Sequence, residues 1–364
     1  MKKTKYVPVN EVYDLIKTVF IKTGVPLDDA KICSDILIAA DLSGIESHGI
    51  GRLYYYYDRI KAGVHKTRTK INIIRDKKAI AVWDGNHGMG HVVAYRAMQT
   101  AIEKAKNYGM GSVAVRNSTH FGIAGYYPKM AAEQNMIGMT FTNARPAISP
   151  TFGTRPMLGT NPIAFGAPSD LDFPFLFDAA TSITQRGKIE VLKRENKPMP
   201  EGWAIDKEGN PFLVTNQFLN DLVSQNASFL PLGGADEIFG SHKGYSLAVI
   251  VEILSSALQA GNFMHGLHGM DNGKRVPYRL GHFFMAIDIE SFTEISEFKK
   301  ITGEIMRQLQ DSPKVAGKDR IFVAGEKEYL KEKEIRKNGI PVNPALQKDI
   351  RIMLDELEIS GFDF

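Results

Sequence analysis

The feature that most restricts the fold is the run from residue 79 to residue 115, where the apolar period changes from strand-like to helical and back. Ala79-Ile80-Ala81-Val82-Trp83 reads as a strand, and residues 91–108 read as a helix with Val93, Ala97, Ala101, Ile102 and Ala105 facing inward. Gly109 closes that helix, and Ser112 to Val115 forms the next strand. Between strand and helix stands Gly85-Asn86-His87-Gly88-Met89-Gly90. Its glycine spacing is wrong for the G-x-G-x-x-G dinucleotide fingerprint, so it reads as a tight turn. Further strands are predicted at Ile137 to Thr142, Phe283 to Ile289, Pro162 to Gly166, Phe175 to Phe177 and Ile321 to Val323.

Helices surround this pattern. Asn10 is placed to cap a helix carrying Val12, Leu15, Ile16, Val19 and Phe20, with Gly24 as its stop. Pro26 to Asp29 opens a second, with Ile32, Cys33, Ile36, Leu37 and Ala40 on one face. Tyr54 to Tyr57 suit a packed helix or a subunit contact. Further helices are predicted at 123–135, 243–259, 295–310, 326–337 and 343–357, with long ordered loops at 196–240 and a poorly patterned stretch at 262–280. Alternating strands and helices make the class α/β or α+β, with a helical N-terminal part.

Composition excludes several functions. The 364 residues suggest two domains, and 43% apolar content is enough for a large core. A net charge of +4, from 45 basic and 41 acidic residues, gives no basic stripe for nucleic acid. No stretch approaches the ~20 apolar residues that span a bilayer. The N-terminus lacks the apolar segment of a signal peptide, and the single Cys33 forms no internal disulfide. A soluble, cytoplasmic protein without membrane or nucleic-acid partners is expected.

Two histidines lie in glycine-containing turns, where rigid scaffolds display functional side chains. His48 follows a helix end within Ser43-Gly44-Ile45-Glu46-Ser47-His48-Gly49, and His120 follows a strand end within Asn117-Ser118-Thr119-His120-Phe121-Gly122. Imidazole exchanges a proton near neutral pH, as alcohol oxidation requires; each could equally cap its turn. Arg52, four residues past His48, could clamp a carboxylate bidentately or lie on the surface. Asp178, followed by Ala179 and Ala180, could accept from ribose hydroxyls, while Lys243-Gly244 opens a helix that suits phosphate. His87 and His91 stand four apart without a third ligand, so no metal is expected.

Taken together, DLSGIESHGIGRL (41–53), RNSTHFGIAGYY (116–127), LGTNPIAFGAP (158–168), FDAATS (177–182), PLGG (231–234) and SHKGYSL (241–247) resemble the malate/L-lactate dehydrogenase family that is unrelated to the Rossmann-type enzymes. Ureidoglycolate dehydrogenase, diketogulonate reductase and sulfolactate dehydrogenase belong to it too. The resemblance implies an α/β fold with a mixed, largely antiparallel sheet in a cofactor-binding domain (76–294). A mostly helical domain would gather both chain ends (1–75 with 295–364). It implies a homodimer, NAD or NADP as cofactor, and a small 2-hydroxy acid or its 2-keto acid as substrate, with malate first. Lactate, sulfolactate, ureidoglycolate, a cyclic imine acid or a diketo sugar acid are alternatives, and a non-catalytic nucleotide-binding protein lies outside the class. By family pattern His120 and His48 handle the proton, while Ser47, Arg52 and Thr160 meet the substrate. Asn143, Asp178, Ala179, Ala180, Lys243, Gly244, Gly325 and Glu326 match cofactor-contacting positions. Ala144 stands where many members carry serine, and Ala324-Gly325-Glu326 replaces Pro-Gly-Glu. For a dicarboxylate a second cation is needed, with Arg145 and Arg186 as candidates.

Overall fold

In the computed structural model, residues 3–194 and 196–363 are described. The first helix, Val9–Lys22, buries Val12, Leu15, Ile16, Val19 and Phe20, the five expected positions. It begins one residue before Asn10, with Pro8 as its cap residue, so Asn10 lies in the first turn and does not cap. A proline there forfeits no helical hydrogen bond, because the first amides have no intrahelical acceptor. Leu27–Leu42 follows, and its Asp41 fixes the next corner: the carboxyl accepts from the Ile50 amide at 2.8 Å. A side chain at Gly49 would collide with that carboxyl. The corner leads through a short 3₁₀ turn, Ile50–Arg52, into the helix Leu53–Lys61.

Both chain ends meet these helices. Lys5–Val7 pairs antiparallel with Ile340–Val342. Ile335, Ile350 and Met353, from the C-terminal helices Glu326–Asn338 and Pro344–Glu356, share one core with Leu15, Phe20, Leu37 and Tyr56.

The main sheet has seven strands. In spatial order they are Asn72–Lys77, Ile80–Asp84, Met110–Ser118, Leu280–Asp288, Met136–Thr142, Ile163–Ala167 and Phe175–Ala179. Every neighbouring pair is antiparallel except Ile80–Asp84 with Met110–Ser118. The helix Gly90–Tyr108 makes that parallel crossover and buries Val93, Ala97, Ala101, Ile102 and Ala105 against the sheet. The directions have one consequence for function. The C-terminal ends of Ile80–Asp84, Met110–Ser118, Met136–Thr142 and Phe175–Ala179, and the N-terminal ends of Ile163–Ala167 and Leu280–Asp288, share one sheet edge.

Beyond the Asn10 cap, four further parts of the sequence reading change. Asn72–Lys77 is a strand exposed along its whole length, so it lacks the alternation that marks a half-buried one. The 196–240 region holds the helix Thr215–Val223 and the paired strands Ala204–Asp206 and Ala227–Phe229, around Phe218 and Phe229. The helix expected at 123–135 shortens to Tyr126–Ala132. Ile321 to Val323 is not a strand: the Val323 amide bonds the Glu326 carboxylate at 3.1 Å, a local cap that replaces a ladder bond.

The turn at 85–90 is locked to the chain around His120. Thr119 Oγ1 accepts from the Gly90 amide at 2.8 Å and donates to the Gly88 carbonyl at 2.9 Å. A Cβ at Gly90 would strike the Thr119 and His120 carbonyls. Gly90→Ala is therefore expected to cost about 1–3 kcal/mol, read as a lower urea midpoint. An unchanged midpoint would show that the helix can withdraw from the turn.

The core also holds imidazoles. His65 and His91 are buried with both ring nitrogens unpartnered. Burial holds each down to about 3, from the ordinary 6.5. Between those values the unfolded chain binds more protons, so stability falls as pH drops through that window. Asp41, pushed up to about 8 by burial, has the opposite sign: its contribution is full in acid and fades as pH rises towards 8. His65→Phe keeps a ring and removes the nitrogens. Its melting temperature is expected to fall less than that of the unsubstituted chain between about pH 7 and pH 5. Parallel curves for the two proteins would sink this account.

Candidate active site

The shared sheet edge and the helical corner face each other across a cleft. From the sheet come His120, just past Met110–Ser118, then Thr142, Asn143 and Ala144, Thr160, Asp178 with Ala179 and Ala180, and Leu280. From the corner come Ile45, His48, Arg52 and Tyr55. The cleft has two adjoining cavities of about 400 and 390 Å³. His48, His120, Ala144, Thr160, Gln185 and Leu280 line both.

The two histidines are separated by 72 residues in sequence but stack here, with ring centroids 5.5 Å apart and planes inclined by 26°. Ser47 Oγ shares a hydrogen bond of 2.9 Å with His48 Nδ1. Tyr56 Oη lies 2.6 Å from His120 Nδ1, and the Gly122 amide reaches the same nitrogen at 3.3 Å. Nδ1 is thus occupied, which leaves Nε2 as the ring nitrogen for chemistry. A hydroxyl can donate to the neutral ring or accept from the protonated one, so Tyr56 can hold His120 in either state.

Both rings are kept neutral. Burial holds His48 down to about 3, and the Arg52 charge adds to this. Burial holds His120 well below the usual imidazole range, reinforced by His48, Arg52, His91 and His65. Arg52 is pinned by its Nε, which donates to the Ser47 carbonyl at 2.9 Å. An anion beside Arg52 would offset the repulsion and raise the proton affinity of both rings.

The first cavity fits a flat, polar cofactor. Its walls include Gly122, Ala124, Ala144, Ala179 and Ala180, small residues that allow close approach. Thr184 Oγ1 is buried on the same wall without a hydrogen-bond partner. The Asp178 carboxyl accepts from the Gly125 amide at 2.7 Å, and burial pushes it up to about 6 against that bond.

Of the residues singled out from sequence, His48, His120, Arg52, Thr160, Asn143, Asp178, Ala179 and Ala180 all line the cleft. Ser47 touches it through His48 and faces an adjoining groove. The Asn143 side chain points into the core, accepting from the Gly281 amide at 2.8 Å, while its own amide donates to the Gly281 carbonyl at 3.3 Å and its carbonyl accepts from Thr142 Oγ1 at 3.0 Å. Lys243, Gly244, Gly325 and Glu326 do not line either cavity. Gly244 packs on Leu232, and Glu326 is bound by Arg320, Gln310 and the Val323 amide. Sequence reading missed Tyr55, Tyr56, Arg59 and Tyr278. Three of them had a signal: Arg52, Tyr55, Tyr56 and Arg59 are spaced i, i+3, i+4, i+7, which puts them on one helical face with the arginine already noticed. Among the described residues no cluster of ligands could hold a metal ion, and no helix is long and apolar enough to cross a membrane.

Comparison with known proteins shows the family. The malate/L-lactate dehydrogenase profile matches residues 7–351. A malate dehydrogenase from Pyrococcus horikoshii is 42% identical over 98% of this chain and 96% of its own length. A malate/(S)-sulfolactate dehydrogenase from Methanothermus fervidus is 40% identical over 95% of this chain and 96% of its own. The crystal structure of malate dehydrogenase from Entamoeba histolytica superposes with a TM-score of 0.96 at 43% identity, covering 100% of both chains. With matches along nearly its whole length and the mixed sheet and facing imidazoles in place, this chain belongs to the malate/L-lactate dehydrogenase family.

Proposed function

We propose that the chain interconverts (S)-malate and oxaloacetate with NAD as its preferred cofactor. The observation that carries this reading is the stacked pair His48 and His120, 5.5 Å apart, lining one cavity with Arg52. Proton exchange and carboxylate binding are the two tasks that a 2-hydroxy acid sets for a protein. The relatives named for malate support the choice of substrate.

Arg52 holds the C1 carboxylate, with Ser47 fixing the guanidinium through its carbonyl. Thr160, on the wall shared by both cavities, meets the substrate. His120 Nε2 takes the hydroxyl proton in oxidation and returns it in reduction, while Tyr56 follows the ring at Nδ1. His48 orients or shares that proton. Asp178, Ala179, Ala180 and Asn143 would hold a nicotinamide in the first cavity, with Thr184 as a further hydroxyl, and that group, when bound, would supply the hydride chemistry at C2. Lys243, Gly244, Gly325 and Glu326 are assigned to more distant parts of the cofactor. The buried walls exclude water, and positioning with proton transfer supplies most of the rate.

Two domains fit this division of labour, 76–294 for the cofactor and both chain ends for the helical part. A cytoplasmic homodimer is proposed. The exposed Leu247, Ile250 and Ile253 on the helix Ser241–Leu254 suit a subunit contact.

The test is a panel of 2-keto acids monitored at the NADH absorbance, with NADPH in parallel. Oxaloacetate with NADH is expected to give the highest kcat/KM. His120→Ala is expected to abolish turnover with cofactor binding nearly intact, and wild-type turnover there would remove His120 from the mechanism. Arg52→Lys is expected to raise KM for every 2-keto acid, since an ammonium cannot make the bidentate contact. An unchanged KM would remove the clamp.

A further inference from the structure

We infer that Arg145, supported by Arg59 and Tyr278, binds a second negative charge on the substrate, so that the site selects dianionic 2-keto acids over monoanionic ones. This rests on the dehydrogenase reading above and assigns the residues that set its substrate class.

The second cavity is lined by four guanidinium groups, those of Arg52, Arg59, Arg145 and Arg186, and by one carboxylate, Glu190. That carboxylate is already taken: Glu190 accepts from Arg186 Nε at 3.2 Å, one turn along the helix Arg186–Arg194. Arg186 is thereby paired. Arg52 lies with the two histidines, where the C1 carboxylate must bind for C2 to face them. Two cations remain. Among the described residues Arg145 makes no ion pair. Arg59 donates to the Tyr278 hydroxyl, and its Nη1 is buried with no hydrogen-bond partner.

Aromatic rings space these like charges. The Arg52 guanidinium is 5.6 Å from the Tyr55 ring centre, and Arg59 is 5.4 Å from the same ring. Arg59 is 4.4 Å and Arg145 5.9 Å from the Tyr278 ring. The ring faces attract cations and keep the guanidinium groups from contact. They supply no negative charge. Burial lowers the Arg145 pKa, with Arg186 and Arg59 adding to the effect. A guanidinium still keeps its proton at any ordinary pH. The fold therefore carries a half-buried, uncompensated positive charge next to the reacting histidines, which is costly unless a ligand neutralises it. One carboxylate satisfies Arg52 alone. A second acidic group on the same small molecule, carboxylate or sulfonate, satisfies Arg145 and the free Nη1 of Arg59.

The experiment compares the unsubstituted protein with Arg145→Met, Arg145→Gln and Arg186→Met on oxaloacetate, sulfopyruvate and pyruvate, with saturating NADH or NADPH. The unsubstituted protein is expected to favour the dianions in kcat/KM by on the order of 100-fold. This ratio should narrow as salt rises. Arg145→Met is expected to raise KM for both dianions by a similar factor, with pyruvate changed by less than about threefold. Arg186→Met is expected to act on all three substrates alike. Carboxylate and sulfonate substrates separate the two possible second groups. Equal losses on pyruvate and oxaloacetate in an Arg145 variant that still binds NADH would overturn the assignment. So would a preference of the unsubstituted protein for pyruvate, a readout that needs no variant to fold. Failure of the unsubstituted protein to reduce any 2-keto acid with either nucleotide would overturn the dehydrogenase reading itself, and this inference with it.

Discussion

Everything at the site depends on the strand Leu280–Asp288 pairing between Met110–Ser118 and Met136–Thr142. A segment that comes late in the chain thereby joins two early strands, each of which has its other partner on the far side. It runs antiparallel to both, so those two strands point the same way and end at the same edge. His120 and Asn143–Ala144 leave from those ends, and Leu280 enters there. Closing a connection of that length costs chain entropy, but the cost grows only slowly with loop length. The strand recovers it by burying Phe284 and Ala286 against the crossover helix. The irregularity in strand register at Gly281 allows the Asn143 side chain to bind its amide, which ties the sheet centre to the cleft wall.

The charge state of the cleft follows from what surrounds it. His48, His120, His65 and His91 share a buried region with Arg52 and Tyr56, and among the described residues no carboxylate offsets the burial of their rings. Burial and like charge act in the same direction, so none of these rings is protonated near neutral pH. A bound carboxylate changes the sign of one of those influences. Substrate binding and proton uptake are therefore linked, as linkage requires whenever a ligand alters a pKa. Without a bound anion the cleft keeps its imidazoles neutral, and an anion beside Arg52 raises their affinity for a proton.

The local elements were largely legible in the sequence, because each has an amphipathic face of its own. The helix Gly90–Tyr108 and its five inward residues follow from spacing alone. So do Val9–Lys22 and the C-terminal helices. The order of the strands was not legible by such reasoning. Pairing between residues 110–118 and 280–288 depends on contacts that no local period records, and the resemblance implied only a mixed, largely antiparallel sheet. Asn72–Lys77 was missed because all its residues are exposed. In the site, His48, Arg52 and His120 stood out because glycine-rich turns display them. Tyr278 did not, since it was one more tyrosine until the fold brought it, 219 residues along the chain, against Arg59. Asn143 illustrates the reverse: the resemblance placed it among cofactor-contacting positions, and the structure spends its side chain on the core.

Tyr56 explains how a cleft between two parts of the chain can hold the geometry that proton transfer demands. Its ring is fully buried, 4.5 Å from His91 and 6.2 Å from Phe20, within the core of the N-terminal helices. Its hydroxyl is on His120. Thr119, the neighbour of His120, is bound to the turn that starts the crossover helix. His120 is therefore fixed from the helical side through Tyr56 and from the sheet side through Thr119. A side chain held from both sides loses little freedom on reaching a reactive pose, because packing has already restricted its rotamers. Phe20 therefore reaches the His120 imidazole through the one ring between them, Tyr56.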